Sequence, residues 1–537
     1  MKNILMIAVV LVMAFASAVP VYAIDIPVSN NVYLFEAGAF EAVDGWYLGE
    51  INVGWHGNGN NTADLTWAGN EGEVIVTPYT VESNKQRTGT LGINIQQTTV
   101  EQTVVFTLTK VNNTTLEVTV VVPPLYNGPI SFDVLRTAIN PGYYFSGAVI
   151  DMGVTLTSAA VDKDTFFAKA RVTEANGNVQ GSFGNFSWDP EKASYALGDG
   201  WAKWNIVDAY VSDADGNRVE KGSHVKLVIE WGTRTEPSGA SSANRYDVPA
   251  TRAAWYASSL SSFGSYIAYA NIELEITQQE VVPGIAAASY FLDEIKHDTV
   301  FETFEIADAP GGGTYALYTP DNASADNLRP ILIWFHGTGE RYYGANPGGN
   351  LVGNRALSFA DEEFQNALGG AYVLAPQSTT SGWSGARLND MEALINQVVA
   401  DNHVDPSRIY VGGLSMGTSM TSSLILSTTA NQVPFAAAIL CSGGGVNAAQ
   451  AQIIADKGFP VYLVGNTSDG AANGQTNAYN NLLAEGVAAK LMRYPAGPVF
   501  DGTYFYGAHD SWNYIYNNMV ADDSGETIFE WLANQSR

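Results

Sequence analysis

Two textures divide the chain. Up to about residue 290, apolar positions alternate with polar ones in short runs, and the 3.6-residue period of an amphipathic helix is nearly absent. The segment "TVVFTLTKVNNTTLEVTVVV" (103–122) reads as two strands meeting at Asn112-Asn113, a hairpin signal. "FFAKARVTEANGNVQG" carries a turn at Asn176-Gly177, and "WNIVDAYVSDADGNRVEKGSHVKLVIEW" (204–231) reads as strand, turn at Asp215-Gly216, strand. Short strands with regular turns predict sandwich modules, two of them, with the break at Pro123-Pro124.

From about residue 295 the pattern changes. "RPILIWFHG" (329–337), "AYVLAPQ" (371–377), "RIYVGG" (408–413), "FAAAILCSGG" (435–444) and "PVYLVG" (460–465) are nearly continuous apolar runs. Helix-competent stretches such as "NDMEALINQVVADN" separate them. That alternation predicts a parallel sheet covered on both faces, with its active site beyond the carboxyl ends of the strands.

The first residues form a third texture. Lys2 precedes the uninterrupted apolar run "ILMIAVVLVMAFASAV", and "VPVYA" places Val21 and Ala23 at cleavage-type positions. This predicts a secretory signal peptide over 1–23 and a mature chain starting near Ile24, secreted without membrane insertion after cleavage. No basic stop-transfer flank follows the run, and no cysteine stands there to accept a lipid.

Length and composition narrow the picture. A chain of 537 residues exceeds what one core supports, so several domains are expected. Cys441 is its one cysteine, which excludes an intramolecular disulfide. Asp and Glu outnumber Lys and Arg by 54 to 26, a formal charge of −28 spread along the chain rather than in blocks. Such a balance disfavours nucleic acid and anionic membranes as partners. The aspartates of "SDADGN" lack the spacing and the later glutamate of a calcium loop, so a hairpin turn is expected there. No cofactor or metal is called for, and the oligomeric state is not readable.

Candidate chemistry centres on Gly413-Leu414-Ser415-Met416-Gly417, which fits G-x-S-x-G between a strand and a helix. A nucleophile on a sharp turn leaves no room for side chains two residues to either side, hence glycine at both. Of six histidines, at 56, 224, 297, 336, 403 and 509, only His509 follows Ser415, in the loop "YGAHDSWNYIY". It is the candidate general base. Asp469, on the loop after "PVYLVG", is the candidate acid; Asp456 precedes that strand, Asp510 adjoins His509, and Asp501 stays open as a rival. The backbone N–H groups of Met416 and of Thr338, in "WFHGTGERYYG", are the candidate oxyanion donors. His336 is expected to shape that loop. Trp383, Tyr506 and Trp512 are candidates to line a substrate pocket, with core packing as the competing role.

In this order, "HGTGERYYGANPGGNL", "AYVLAPQ", "RIYVGGLSMG", "FAAAILCSGGG" and "AHDSWNYIY" resemble secreted α/β-hydrolase esterases of the predicted-peptidase and polyhydroxybutyrate-depolymerase-like group. The segment from about 140 to 285, with "DKDTFFAKARV" and "IVDAYVSDADGNRV", resembles the immunoglobulin-like domain preceding an EstA-type catalytic domain. The resemblance implies an immunoglobulin-like sandwich (125–290) and an α/β-hydrolase domain (291–537), while the signal peptide (1–23) and a β-rich domain of unknown role (24–124) rest on the residue pattern alone. It also implies metal-independent hydrolysis of carboxylic esters by Ser415, Asp469 and His509, on a small-molecule or polymeric ester. Three positions depart from the group: Tyr342 and Thr418 stand where relatives have glycine, and "VGNTSD" stands where relatives often have His-Gly-x-x-Asp. A serine peptidase of the same fold, and a polymer-binding protein with a vestigial hydrolase, are the alternative readings.

Overall fold

The computed structural model describes residues 125–139, 142–174, 194–231, 250–258, 265–286, 288–344 and 346–537, and the backbones of the strands between 24 and 122. The signal-peptide segment, the Pro123-Pro124 break and the Asn176-Gly177 turn lie outside the described residues. In the first part of the chain, Gln102–Lys110 and Thr115–Val122 pair antiparallel in a four-stranded sheet, and Trp46–His56 pairs with Gln86–Gln96 in a second sheet.

The next unit is a sandwich. One five-stranded sheet runs Ile206–Ser212, Lys221–Ile229, Gly142–Thr157, Pro129–Ile139, Ser289–Lys296. The facing sheet runs Ala196–Gly198, Trp201–Trp204, Phe166–Glu174, Ser265–Gln278, Ala254–Ser258. Alternate residues of both sheets point inward, and Phe132, Val134, Phe145, Ala168, Trp204 and Leu227 are almost wholly buried. Trp204 satisfies its indole N–H on the Ala250 carbonyl at 3.0 Å, so the large ring is buried without an orphan donor. The "SDADGN" segment is a turn held by Asp213, whose carboxylate accepts the N–H groups of Asp215 and Asn217. The sandwich boundary moves: Ser289–Lys296 pairs in parallel with Pro129–Ile139, so the sheet runs past residue 290 to Lys296. The sequence assigns residues 291–296 to the following domain because their partner strand lies far back in the chain.

The second half is built on an eight-stranded mixed sheet. Its strands are β1 (Phe304–Asp308), β2 (Thr314–Tyr318), β3 (Arg329–Phe335), β4 (Tyr372–Gln377), β5 (Val404–Leu414), β6 (Ala437–Cys441), β7 (Val461–Asn466) and β8 (Ala489–Tyr494). Their spatial order is β1-β2-β4-β3-β5-β6-β7-β8. The pairs from β4 to β8 are parallel, while β1 and β2 join antiparallel as a hairpin edge. Strands β4, β6 and β7 are buried at every residue, as expected for a sheet with helices on both faces. One face packs the helices Leu388–Asp401 and Gly417–Ile425, through Leu394, Ile395, Met420 and Leu424. The other packs Trp334, Phe359, Tyr516 and Phe529 in edge-on and tilted aromatic contacts, with the Trp334 N–H donating to the Tyr516 hydroxyl at 3.0 Å. This second core is continuous with that of the sandwich. Among the described residues, no helix is long and apolar enough to cross a membrane.

Candidate active site

Sheet order explains why distant residues meet. Because β3 and β5 are neighbours, the loop after β3 lies beside the turn after β5. β7 stands two places from β5, with β6 between, so the loop after β7 faces that turn across one strand.

Strand β5 ends at Leu414, and Ser415 adopts a left-handed conformation with φ of 50°, strained for a non-glycine residue. The helix Gly417–Ile425 starts two residues later. The turn is possible only with glycine alongside. A Cβ on Gly417 would stand 2.1 Å from the Phe335 carbonyl oxygen, and one on Gly413 would stand 2.8 Å from the Gly417 backbone carbon. The Ser415 N–H donates to the Cys441 carbonyl at 2.9 Å, which fixes the strained residue to β6. Thr418 donates its hydroxyl to the Ser415 carbonyl at 2.6 Å and packs where a side chain on Gly443 would otherwise intrude.

His509 joins this serine to Asp469. Its Nε2 lies 2.9 Å from Ser415 Oγ, and its Nδ1 lies 3.0 Å from Asp469 Oδ1. The second distance requires the proton on Nδ1, leaving Nε2 to accept from the serine. The hydrogen bond to Asp469, joined by its charge, holds His509 above the ordinary imidazole range against the pull of burial. Asp469 is 4% exposed at its side chain and His509 45%, so the acid is shielded while the base opens to solvent. Burial pushes the Asp469 carboxyl up, but the bonds from His509 and the Ala471 N–H, with the nearby His509 charge, outweigh it, and the group stays below the usual range.

The rival carboxylates have other tasks. Asp501 Oδ1 accepts the N–H groups of Thr503 and Tyr504, and its Oδ2 accepts the Tyr506 hydroxyl at 2.7 Å. Asp510 caps its own turn through the Gly507 N–H, and Asp456 accepts from Gln452 on the helix Ala448–Lys457. Geometry brings only Asp469 to His509.

Thr338 opens a short 3-10 turn, Thr338–Glu340, after β3, and Met416 opens the helix after the serine. Neither N–H meets an acceptor among the described residues, so both remain available to an oxyanion. His336 shapes the loop from within. It is buried, its Nδ1 donates to the Gly337 carbonyl at 2.6 Å, and its Nε2 accepts the Ser378 N–H at 2.9 Å. Burial pushes it down to about 3, so it stays neutral and ties the loop after β3 to that after β4.

The three aromatic pocket candidates are buried. Trp383 donates to the His336 carbonyl at 2.9 Å and meets Phe335 edge-on. A Cβ on the preceding Gly382 would stand 2.9 Å from Met416 Sδ, so this loop abuts the nucleophile turn. Trp512 stands edge-on to the His509 ring at 5.4 Å, and Tyr506 is committed to Asp501. Two further residues escaped sequence reasoning. Ser442, buried with a φ of 52°, sits at the end of β6 beside Asp469. Glu340 is a fully buried acid under the Thr338 turn. Its position three residues after Gly337 was the one available signal. Among the described residues, no cluster of three or more His, Cys, Asp or Glu side chains could hold a metal ion.

Comparison with known proteins bears on the fold. No family model matches the chain. A solved structure described as a thermostable esterase superposes on 76% of this chain and all of its own, with a TM-score of 0.55 and 21% sequence identity. The fold is shared with that esterase. A carboxyl esterase 2 of the mycorrhizal fungus Tuber melanosporum aligns over 43% of this chain and 88% of its own, with 14% identity and a TM-score of 0.31. In sequence, a probable feruloyl esterase C of Aspergillus niger is 28% identical over 139 residues, a quarter of this chain. The match spans about half the length of that relative, 48%.

Proposed function

We propose that this chain is a secreted serine hydrolase that cleaves carboxylic esters through an acyl-enzyme. One observation carries the reading: an unbroken hydrogen-bonded line runs from Ser415 Oγ through His509 to Asp469, with the serine on a strained turn beyond a central parallel strand. The similarity to a probable feruloyl esterase and the fold shared with a thermostable esterase support the same chemistry.

His509 Nε2 takes the Ser415 proton as the oxygen attacks the ester carbonyl. Negative charge then develops on the former carbonyl oxygen, where the Thr338 and Met416 N–H groups stabilise it; one such donor contributes about 3 kcal/mol to the transition state. The imidazolium returns its proton to the departing alcohol, leaving an acyl-serine. Water, deprotonated by the same imidazole, releases the acid and restores the serine. Asp469 holds the tautomer and stabilises the imidazolium throughout. Trp512 against the His509 ring and Trp383 behind the nucleophile turn form buried walls to the site. Secretion rests on the apolar leader over 1–23 and is tested by the N-terminal sequence of protein recovered outside the cell, expected near Ile24.

The deciding experiment is hydrolysis of a p-nitrophenyl ester series, from acetate to long chain, by the mature protein and by Ser415→Ala. Loss of the nucleophile should lower kcat by on the order of 10⁶-fold without unfolding the protein. Turnover that survives in a clean Ser415→Ala preparation removes the serine from the mechanism. Cleavage of matched p-nitroanilides faster than the esters would instead favour a peptidase.

A further inference from the structure

We infer that Glu340 is a positioning residue whose buried carboxylate locks the peptide at Gly337 and thereby aims the Thr338 N–H at the oxyanion. The inference rests on the serine-hydrolase reading above.

Glu340 is 0% exposed, and among the described residues no cation forms an ion pair with it. A carboxylate in such a place is costly unless hydrogen bonds replace its water. Here they do. Its Oε2 accepts the Gly337 N–H at 2.8 Å and an Asn354 Nδ2 proton at 2.5 Å, while its Oε1 accepts the Asn354 backbone N–H at 2.9 Å. The Glu340 carbonyl accepts from Gln377 Nε2 at 2.9 Å, and Gln377 in turn accepts the Thr314 hydroxyl and reaches the Asn346 carbonyl. One side chain and its carbonyl therefore join the end of β3, the segment at Asn354 and the end of β4.

Position converts this packing into a catalytic consequence. A Cβ on Gly337 would lie 3.4 Å from Glu340 Oε2 and 3.6 Å from Ser415 Cβ, so one glycine separates the carboxylate from the nucleophile. The Gly337 N–H, turned into the protein by Oε2, is withdrawn from the site. The next N–H, that of Thr338, is left without an acceptor. Oxyanion donors act through preorganisation, so an unlocked Gly337 peptide would weaken transition-state binding while leaving substrate binding nearly unchanged. Every partner of the carboxylate oxygens is a donor, which makes the role specific to an acid: the amide of a Gln would set its NH2 against Asn354 or Gly337 in either orientation.

The test measures kcat and KM on p-nitrophenyl acetate for the full chain, Glu340→Gln, Asn354→Ala and Ser415→Ala. Glu340→Gln should lose about 100-fold in kcat, with KM within about twofold, the scale of one oxyanion donor. Its far-ultraviolet circular dichroism and the acidic limb of its pH profile should match the parent. If that variant does not fold, Asn354→Ala decides: it keeps the Gly337 bond and should lose about tenfold in kcat at constant KM, a fraction of one donor. An unchanged kcat in a folded Glu340→Gln, or in Asn354→Ala when Glu340→Gln cannot be obtained, overturns the inference. A loss confined to KM overturns it too. An inert parent protein instead defeats the serine-hydrolase reading and takes this inference with it, whereas an active parent with an unimpaired Glu340→Gln defeats this inference alone.

Discussion

In the proposed mechanism Asp469 acts on the reaction only through His509, and that indirect role fixes the sign of its pH effects. The hydrogen bond between them raises the imidazole above its ordinary value of about 6.5. Only neutral His509 can accept the serine proton, so kcat/KM should fall as pH drops through that raised value. Asp469→Asn removes the charge and exchanges an acceptor for an amide that can hold the wrong tautomer. A kcat loss of about 10⁴-fold is expected, with the residual acidic limb shifted to lower pH. A pH–rate profile of the two proteins checks both, and a limb that stays in place would mean that another group raises His509. The sequence favours Asp469, on the loop after an apolar strand, but leaves Asp501 open as a rival. Both follow apolar runs, and only the folded hairpin, which commits Asp501 to Thr503, Tyr504 and Tyr506, separates them.

At the scale of elements, the strand–turn–helix from β5 to Gly417–Ile425 carries the site. Its strain is held by close packing against β3 and by the Ser415 N–H bond to β6. Gly417→Ala puts a methyl carbon into the Phe335 carbonyl, and backbone on both sides leaves no flexible group to yield. We expect a destabilisation of several kcal/mol, at the upper end for single substitutions, read as a fall in Tm and poor recovery of folded protein. Gly445→Ala, where a Cβ meets nothing within 4 Å, is the control and should be nearly neutral. These elements were legible because apolar runs of strand length, closed by glycine, leave few alternatives. The Thr338 turn was legible as a loop. Its anchor was not, since a glutamate beside an arginine in "GTGER" reads as surface until burial is known.

At the scale of the whole molecule, the sandwich and the catalytic sheet share one core. Strand Ser265–Gln278 packs on the Thr338 turn and on the short helix Gly349–Val352, and Tyr269 donates its hydroxyl to the Pro347 carbonyl at 2.9 Å. Ile267 is fully buried at this junction. Ile267→Ala should cost about 2–5 kcal/mol. Because the core is continuous, the described domains should unfold in one calorimetric transition that moves as a whole. Two separate transitions, with only the earlier one shifted, would show that the shared core does not couple them.

The sequence by itself determined the order of textures, the nucleophile turn and its single downstream histidine. These are set by local sterics and by residue scarcity, which a linear chain displays directly. It also determined that no disulfide supports the fold, through a single cysteine. Tertiary structure alone removed Asp501 as a rival to Asp469, and it alone decided where the sandwich ends and which buried acid braces the Thr338 loop. Each of these depends on a contact between segments distant in the chain: Asp469 with His509, Ser289–Lys296 with Pro129–Ile139, and the Glu340 carboxylate with Asn354. Burial and hydrogen-bond partners arise only when strands that are far apart in sequence become neighbours in a sheet, and those partners assign the roles of otherwise equivalent residues.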